Sequence, residues 1–219
     1  MKSRPVVLAA VVAILCACAR QAPAPASNAT APARKPARTV PSHASPPGAA
    51  QPWTDASWGF RIDAPPGWTI HRDFAHGYLA NDSWKTYATP GSHGTAIVSF
   101  TLPGSDEITS AEIRIGASRD ANEIAQCTAA PESLRSGSVH RERIGGEEFT
   151  AFDAADAAMS HHLYVRGHRI VHAGTCYAID LLVYGTNPQV YDPPPKPPFS
   201  GKQAFARMMP VLRTFRFTR

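Results

Sequence analysis

The chain has 219 residues, with 22 Lys and Arg against 17 Asp and Glu and a formal net charge of +5. Lys2, Arg4, Arg20, Arg34, Lys35 and Arg38 all precede the first acid, Asp55, so residues 53–219 hold 16 bases against 17 acids and stand at −1. A globally basic surface, the default signature of a nucleic-acid binder, is thereby excluded for the body of the chain, and the length suits one domain with extensions.

Lys2 and Arg4 give a short positive start, and Val6 to Leu15 is wholly apolar. Ten helical residues rise about 15 Å, half the hydrocarbon thickness of a bilayer. The segment therefore reads as the apolar part of a secretory signal, too short for a comfortable membrane span. It ends Leu15-Cys16-Ala17-Cys18, which resembles a bacterial lipobox. Cys18 fits the lipidated position better than Cys16, which would place bulky Leu15 at the cleavage point. The resemblance implies that residues 1–17 are removed as a lipoprotein signal peptide. It also implies that the Cys18 thiol takes diacylglycerol and the new amino terminus is acylated. Several acyl chains at about 0.8 kcal/mol per buried CH2 make a stable anchor. Ala19 and Arg20 follow, with none of the Asp that would resemble an inner-membrane retention signal. The implied address is the periplasmic face of the outer membrane.

Residues 18–52 form the next unit, the lipidated cysteine and a tether. Positions 19–52 hold eight prolines and eleven alanines, and the only larger aliphatic residue is Val40. Such a segment cannot bury enough apolar surface to offset its chain entropy, so it is expected to be disordered with polyproline II character. As a coil it spans about 30–35 Å, and fully extended about 100 Å.

Residues 53–219 are expected to form a single domain. Phe60 and Ile62 alternate with Arg61 and Asp63 as a half-buried strand. Pro65-Pro66-Gly67 turns the chain into a second alternating segment at Trp68 and Ile70. Ala96–Leu102 is a buried strand, and Ile108–Ala117 another, with Glu112, Arg114 and Gly116 alternating against Ile113 and Ile115. Asp120 caps a short helix, with Glu123 three residues on. Val139–Phe152 is a hairpin around Gly145-Gly146. His161–His172 and Cys176–Tyr184 are the arms of a longer hairpin turned by Ala173-Gly174-Thr175. In the second arm Tyr177, Ile179, Leu181 and Val183 share one face and Asp180 points the other way. Gly167 marks a bulge or a second turn. Six prolines make Asn187–Phe199 an irregular loop. Ser200 caps a closing helix through Met209, ended by Pro210, and Leu212, Phe215 and Phe217 supply a last strand. The fold class is α+β, a mainly antiparallel sheet flanked by a few helices.

Once Cys16 and Cys18 are assigned to the leader, Cys127 and Cys176 remain, 49 residues apart. In an oxidising compartment two such cysteines usually pair, so a structural disulfide is expected. A metal pair or a reactive thiol are the alternatives, without CxxC spacing or a cysteine cluster to support them.

The opening strand with its Pro-Pro-Gly-Trp turn, the long antiparallel centre, and the terminal helix leading into Leu-Arg-Thr-Phe-Arg-Phe together resemble PsbP/DcrB-like domains over about residues 57–217. That resemblance implies an antiparallel sheet flanked by helices and a role in binding or assembly. It transfers no functional residue.

Candidate chemistry is sparse. His162, His168 and His172 share parity on one uninterrupted strand, but separations of about 20 and 13 Å prevent direct binding of one metal. A site there would need partners from neighbouring strands, such as Asp180. His161 and His162 face opposite ways. No Gly-x-Ser-x-Gly elbow, HExxH, phosphate loop or calcium loop occurs. Glu147-Glu148 and Asp153/Asp156 offer carboxylates, but a glycosidase pair needs about 5–10 Å across a cleft. Trp53, Trp58, Trp84, Tyr78 and Tyr87 either pack or line a ligand surface. No catalytic residue, metal or cofactor is expected. The chain reads as a non-enzymatic lipoprotein held in the membrane through Cys18, which binds an envelope or cell-wall partner or supports envelope assembly. One alternative is an inhibitor or immunity lipoprotein that uses Asn187–Phe199 against a wall hydrolase. The other is a wall-glycan hydrolase.

Overall fold

Alternation in the sequence becomes burial in strand β2 (Phe60–Ala64), where Phe60 and Ile62 are fully buried and Arg61 and Asp63 are not. The computed structural model describes residues 50–74, 77–131 and 139–218; the expected signal peptide, Cys18 and the expected tether as far as residue 49 lie outside the described residues. The described residues all fall in one compact unit, Ala44–Arg219. Its first strand, β1 (Gln51–Asp55), begins within the stretch read as tether and pairs with β2, Trp53 opposite Ile62. The turn between them is built by Asp55, whose Oδ1 accepts from the backbone N–H groups of Ser57 and Trp58. Pro65-Pro66-Gly67 then turns the chain into β3 (Thr69–His71), with Gly67 at φ 84°.

The central strands follow the sequence pattern, except that the second arm of the hairpin expected over Val139–Phe152 runs on to Ala158 by pairing with His161–Arg169. They are β4 (Thr95–Thr101), β5 (Thr109–Ser118), β6 (Val139–Ile144), β7 (Glu147–Ala158), β8 (His161–His172) and β9 (Thr175–Thr186). Between β5 and β6 lies α1 (Ala121–Ala125), capped by Asp120, whose side chain accepts from Asn122 N and Glu123 N. These strands and β3 form a seven-stranded antiparallel sheet in the order β3-β4-β5-β9-β8-β7-β6. Strand β8 passes straight through Gly167, which faces Asp180 on β9 and Phe152 on β7, so neither the bulge nor the second turn forms. The glycine instead makes room for an aromatic ring, since a Cβ there would lie 2.2 Å from Phe152 Cζ.

The closing helix α2 (Gly201–Leu212) starts at a capping box between Ser200 and Gln203, and it runs past Pro210 where the sequence placed its end. Proline costs a helix its i−4 hydrogen bond. Here that loss falls in the last turn beside exposed Ala206, while Val211 and Leu212 are drawn into the core. Leu212 is therefore helical, and the last strand, β10 (Arg216–Phe217), is only two residues long. It pairs with β2 to complete a three-stranded sheet, β1-β2-β10.

That small sheet and α2 cover one face of the large sheet. Phe60, Phe215, Met208 and Leu212 join Ile113, Ile115, Tyr177, Ile179 and Leu181 in the main core. Phe215 sits 5.3 Å from the ring of Phe60 and 6.0 Å from that of Phe149. The opposite face is covered by irregular chain, residues 77–94, packed so closely that a Cβ on Gly116 would meet the backbone oxygen of Trp84. Glu112 and Arg114, which alternate with Ile113 and Ile115, are therefore buried beneath it, with Arg114 Nη2 2.7 Å from Glu112 Oε1. Arg169 and Asp180 form a second buried pair on this face, 2.6 Å apart at closest. The Cys127–Cys176 disulfide, with Cα atoms 5.6 Å apart, ties α1 to the start of β9.

Candidate functional site

The histidines divide between the two faces of β8. His162 and His168 lie on the α2 side and His161 on the other, as an uninterrupted strand requires. Asp180 pairs in register with Gly167 and bonds Arg169, so it lies on the face opposite His168 and cannot join it in a site. His172 stacks on Phe217 with ring centroids 3.7 Å apart, and His168 bonds Glu142. Among the described residues no group of three or more His, Cys, Asp or Glu is placed to hold a metal ion. The carboxylates stay apart as well. Asp153 lies opposite Arg166 and Asp156 opposite Leu163, on alternate faces of β7. Glu147 and Glu148 open β7 at the far hairpin.

The aromatic candidates mostly pack. Trp53 and Trp58 lie against the main core, and Trp84 is buried with its Nε1 donating to Ser92 Oγ. Tyr87 takes φ 57° to lay its ring against Phe152. Burial, then the charges of Asp156 and Asp180, push its hydroxyl up to about 12. Tyr78 alone is largely exposed, stacked on His161 at 4.6 Å.

Further exposed apolar side chains lie at the end of the sheet where β7 turns into β8 and on the chain that leaves β9. Met159 is 81% exposed, and it and Ser160 take φ 49° and 68°. This is the type I′ two-residue hairpin turn, which needs positive φ at both positions, normally supplied by Gly, Asn or Asp. Supplying it with Met and Ser costs about 1–2 kcal/mol per residue. The chain leaving β9 is fastened to this tip, Asn187 N donating to Ser160 O at 2.7 Å. Asn187 also caps a short 3-10 turn, Pro188–Val190, through a bond from Gln189 N. Val190 and Tyr191 emerge from that turn 53% and 44% exposed.

Tyr164, 46% exposed, stands as a ridge on β8 between two hollows. One, about 470 Å3, lies between the tip and Asn187-Pro188. The other, about 520 Å3, lies between Tyr164, Val183 and the stretch from Lys196 to Gln203. His162 borders both. Burial, and then the charge of His161, hold it below the usual imidazole range, so it favours the neutral ring. The arrangement offers aromatic and aliphatic contacts around two concavities, the geometry that receives side chains of another molecule. Sequence reasoning named the 187–199 loop but missed Met159 and Tyr164. The signal for the first was available as a turn between two strands with no Gly or Asn in it. Tyr164 carried none, because its surroundings are set by the distant chain that leads into the start of α2.

No family model matches the chain, and comparison with curated proteins finds no match.

Proposed function

We propose that this protein is a lipoprotein anchored through Cys18 to the periplasmic face of the outer membrane, whose domain binds an envelope partner without catalysis. The contact surface is the end of the sheet formed by Met159, Tyr164, Val190 and Tyr191. The observation that carries this is the exposed methionine in a glycine-free positive-φ turn, sharing a concavity with exposed Tyr164, with Val190 and Tyr191 exposed on the chain that follows Asn187. Strain kept at an exposed tip is explained by a contact made there. The resemblance to PsbP/DcrB-like domains points the same way, towards binding or assembly.

The test is site-specific photocrosslinking in intact cells, with the photoreactive residue at 159, 164 or 191 and a control at Ile70, which is similarly exposed on β3. The expected result is a discrete adduct from the three sites and none from the control. Equal labelling at Ile70, or no adduct from the three, overturns the proposal. Cys18→Ser is expected to release the protein from the membrane fraction.

The inhibitor reading draws on the exposure of Val190 and Tyr191, since a loop of that kind can enter a hydrolase cleft. An adduct to a wall hydrolase, lost on replacing both residues with Ser, would favour it. The wall-glycan hydrolase reading has less support. The two acids that line a common cleft, Glu142 and Asp153, each sit against a base, His168 and Arg166. Glu142 is moreover held below the usual carboxylate range, which disfavours a general acid.

A further inference from the structure

Strand β7 is longer than its neighbour on the outer side. Its first half, Glu147–Phe152, pairs with β6, whereas Asp153–Ala158 pairs with β8 and, among the described residues, with nothing on the other side. Hydrogen-bonded pairs alternate along an antiparallel ladder, counted here from Ala158 and His161, which close the two-residue turn. The backbone groups of Asp153, Ala155 and Ala157 therefore point away from β8, along a free edge. Among the described residues, Asp156 Oδ1 takes up the N–H of Ala157 at 2.8 Å, and those of Asp153 and Ala155 have no acceptor.

Ala154, Ala155, Ala157 and Ala158 keep this edge low, and no proline or bulge interrupts it. Such an edge is a template for strand addition. The aspartates decide what can add. A second copy of this chain fits poorly, because in a two-fold antiparallel pairing the outward-facing residues must oppose one another. One such register sets Ala155 opposite its own copy and brings Ala158 of the second copy to Phe152, where Val139 already sits. The register one step further out sets Asp156 opposite Asp156, like charges in direct opposition. Asp153 is matched by Arg166 on β8. Asp156 is exposed on the other face, and among the described residues no basic side chain pairs with it. A positive side chain on an added strand would complement it.

We propose that Asp153–Ala158 is a docking edge to which the partner adds an extended strand, with a Lys or Arg opposite Asp156 and apolar residues on either side of it. By strand alternation those two residues lie on the α2 face, over small Ala155 and Ala157, and lead to Tyr164 and Met159 around the same hollow. The inference rests on the partner-binding proposal and specifies how that contact is made. Backbone hydrogen bonds give affinity, and the charge and the alternate side chains set the register.

Amide hydrogen exchange on the purified full chain reads the edge itself. The N–H groups of Asp153 and Ala155 are expected to exchange quickly, and that of Ala154, bonded to β8, slowly. Slow exchange of all three at every concentration would mean that the chain's own residues cover the edge. Exchange that slows as concentration rises would mean a second copy, and either result overturns the proposal. The photocrosslink from position 164 in intact cells then reads the partner. Ala155→Pro removes only an outward N–H, which an edge strand tolerates, and is expected to cut the adduct about tenfold, the worth of one backbone hydrogen bond. Asp156→Lys, an exposed change that decides the matter if the proline variant does not fold, is expected to weaken it too, and Asp156→Glu to retain it. Arg143→Pro, at the matching outward position on β6, is expected to leave it unchanged. An undiminished adduct in folded Ala155→Pro or in Asp156→Lys, or an equal loss in Arg143→Pro, overturns strand addition and leaves the Met159–Tyr164 contact standing. No adduct from the unsubstituted edge overturns the partner-binding proposal and this one with it.

Discussion

Replacing Asp180 tests how the outer face of the sheet is held. Asp180 and Arg169 are 1% and 3% exposed, and the carboxylate accepts three hydrogen bonds: 2.6 Å from Arg169 Nη1, 3.2 Å from Nη2 and 2.8 Å from Thr86 N. Arg169 Nη2 also reaches Thr86 O and Oγ1, so the pair fastens the covering chain as well as itself. Asp180→Asn keeps the shape and one acceptor but strands a guanidinium out of water, and such an unpaired buried charge costs about 3–5 kcal/mol. Replacing both, as Arg169→Met with Asp180→Leu, removes the stranded charge. What remains is the unsatisfied Thr86 N–H, about 1–3 kcal/mol. Urea unfolding followed by tryptophan fluorescence reads both variants, because Trp84 lies in the same covering segment. The double variant is expected to be more stable than Asp180→Asn. A single-variant loss below about 1 kcal/mol, well under the range for a broken buried pair, would refute the reasoning. A double variant that costs the sum of the two singles would do the same.

Three further outcomes follow from other parts of the fold. The bond to His168, with the charges of His168, His140 and Arg213, holds Glu142 below the usual carboxylate range against the effect of burial. A lowered carboxylate contributes stability that is present above the ordinary carboxylate range and lost as pH falls through the lowered value; Glu142→Gln is therefore expected to flatten the acid limb of the urea midpoint, and an unchanged limb would count against the pairing. Gly167→Ala drives a methyl into the ring of buried Phe152, and overpacking of this kind costs about 1–3 kcal/mol; an unshifted melting temperature would contradict it. Joint replacement of Cys127 and Cys176 with Ala removes a crosslink between residues 49 apart, worth about 4 kcal/mol by chain entropy. Denaturation of the parent with and without reductant should match the size of that loss.

What the sequence made legible was periodicity. The alternating Phe60–Asp63 and Tyr177–Val183 runs, the Asp120 and Ser200 caps, and the turns at Gly145-Gly146 and Ala173-Gly174 each act through neighbours a few residues away, and each appears where expected. The disulfide was legible by elimination. The features missed are those set by distant chain. Glu112 and Arg114 read only as alternating with Ile113 and Ile115, and nothing local says that residues 77–94 will lie across them. Gln51 and Pro52 read as tether because the strand they open, Gln51–Asp55, exists only through pairing with β2. Helix α2 continues past Pro210 because the core, not local propensity, holds Val211 and Leu212.

The same reasoning explains why the Met159–Tyr164 surface and the cleft lined by Glu142 and Asp153 both lie on the α2 face. The opposite face is sealed by a segment whose anchors are buried ion pairs at Arg114 and Arg169. The near face is roofed by α2 and the small sheet over β5 and β9, where Ile113, Ile115, Ile179 and Leu181 are fully buried. Beyond that roof β7 and β8 carry Asp153, Ala155, Ala157, Tyr164 and Arg166 at the surface. Small alanines on one strand beside Tyr164 and Arg166 on the next leave hollows at either end of an open strip. The apolar end meets the strained Met159 tip, and the charged end meets Arg213 at the close of the helix. The length of α2 therefore sets how much of the sheet is left open. A helix ended at Met209, as its proline suggested, would have withdrawn Val211 and Leu212 from the core and Arg213 from the cleft.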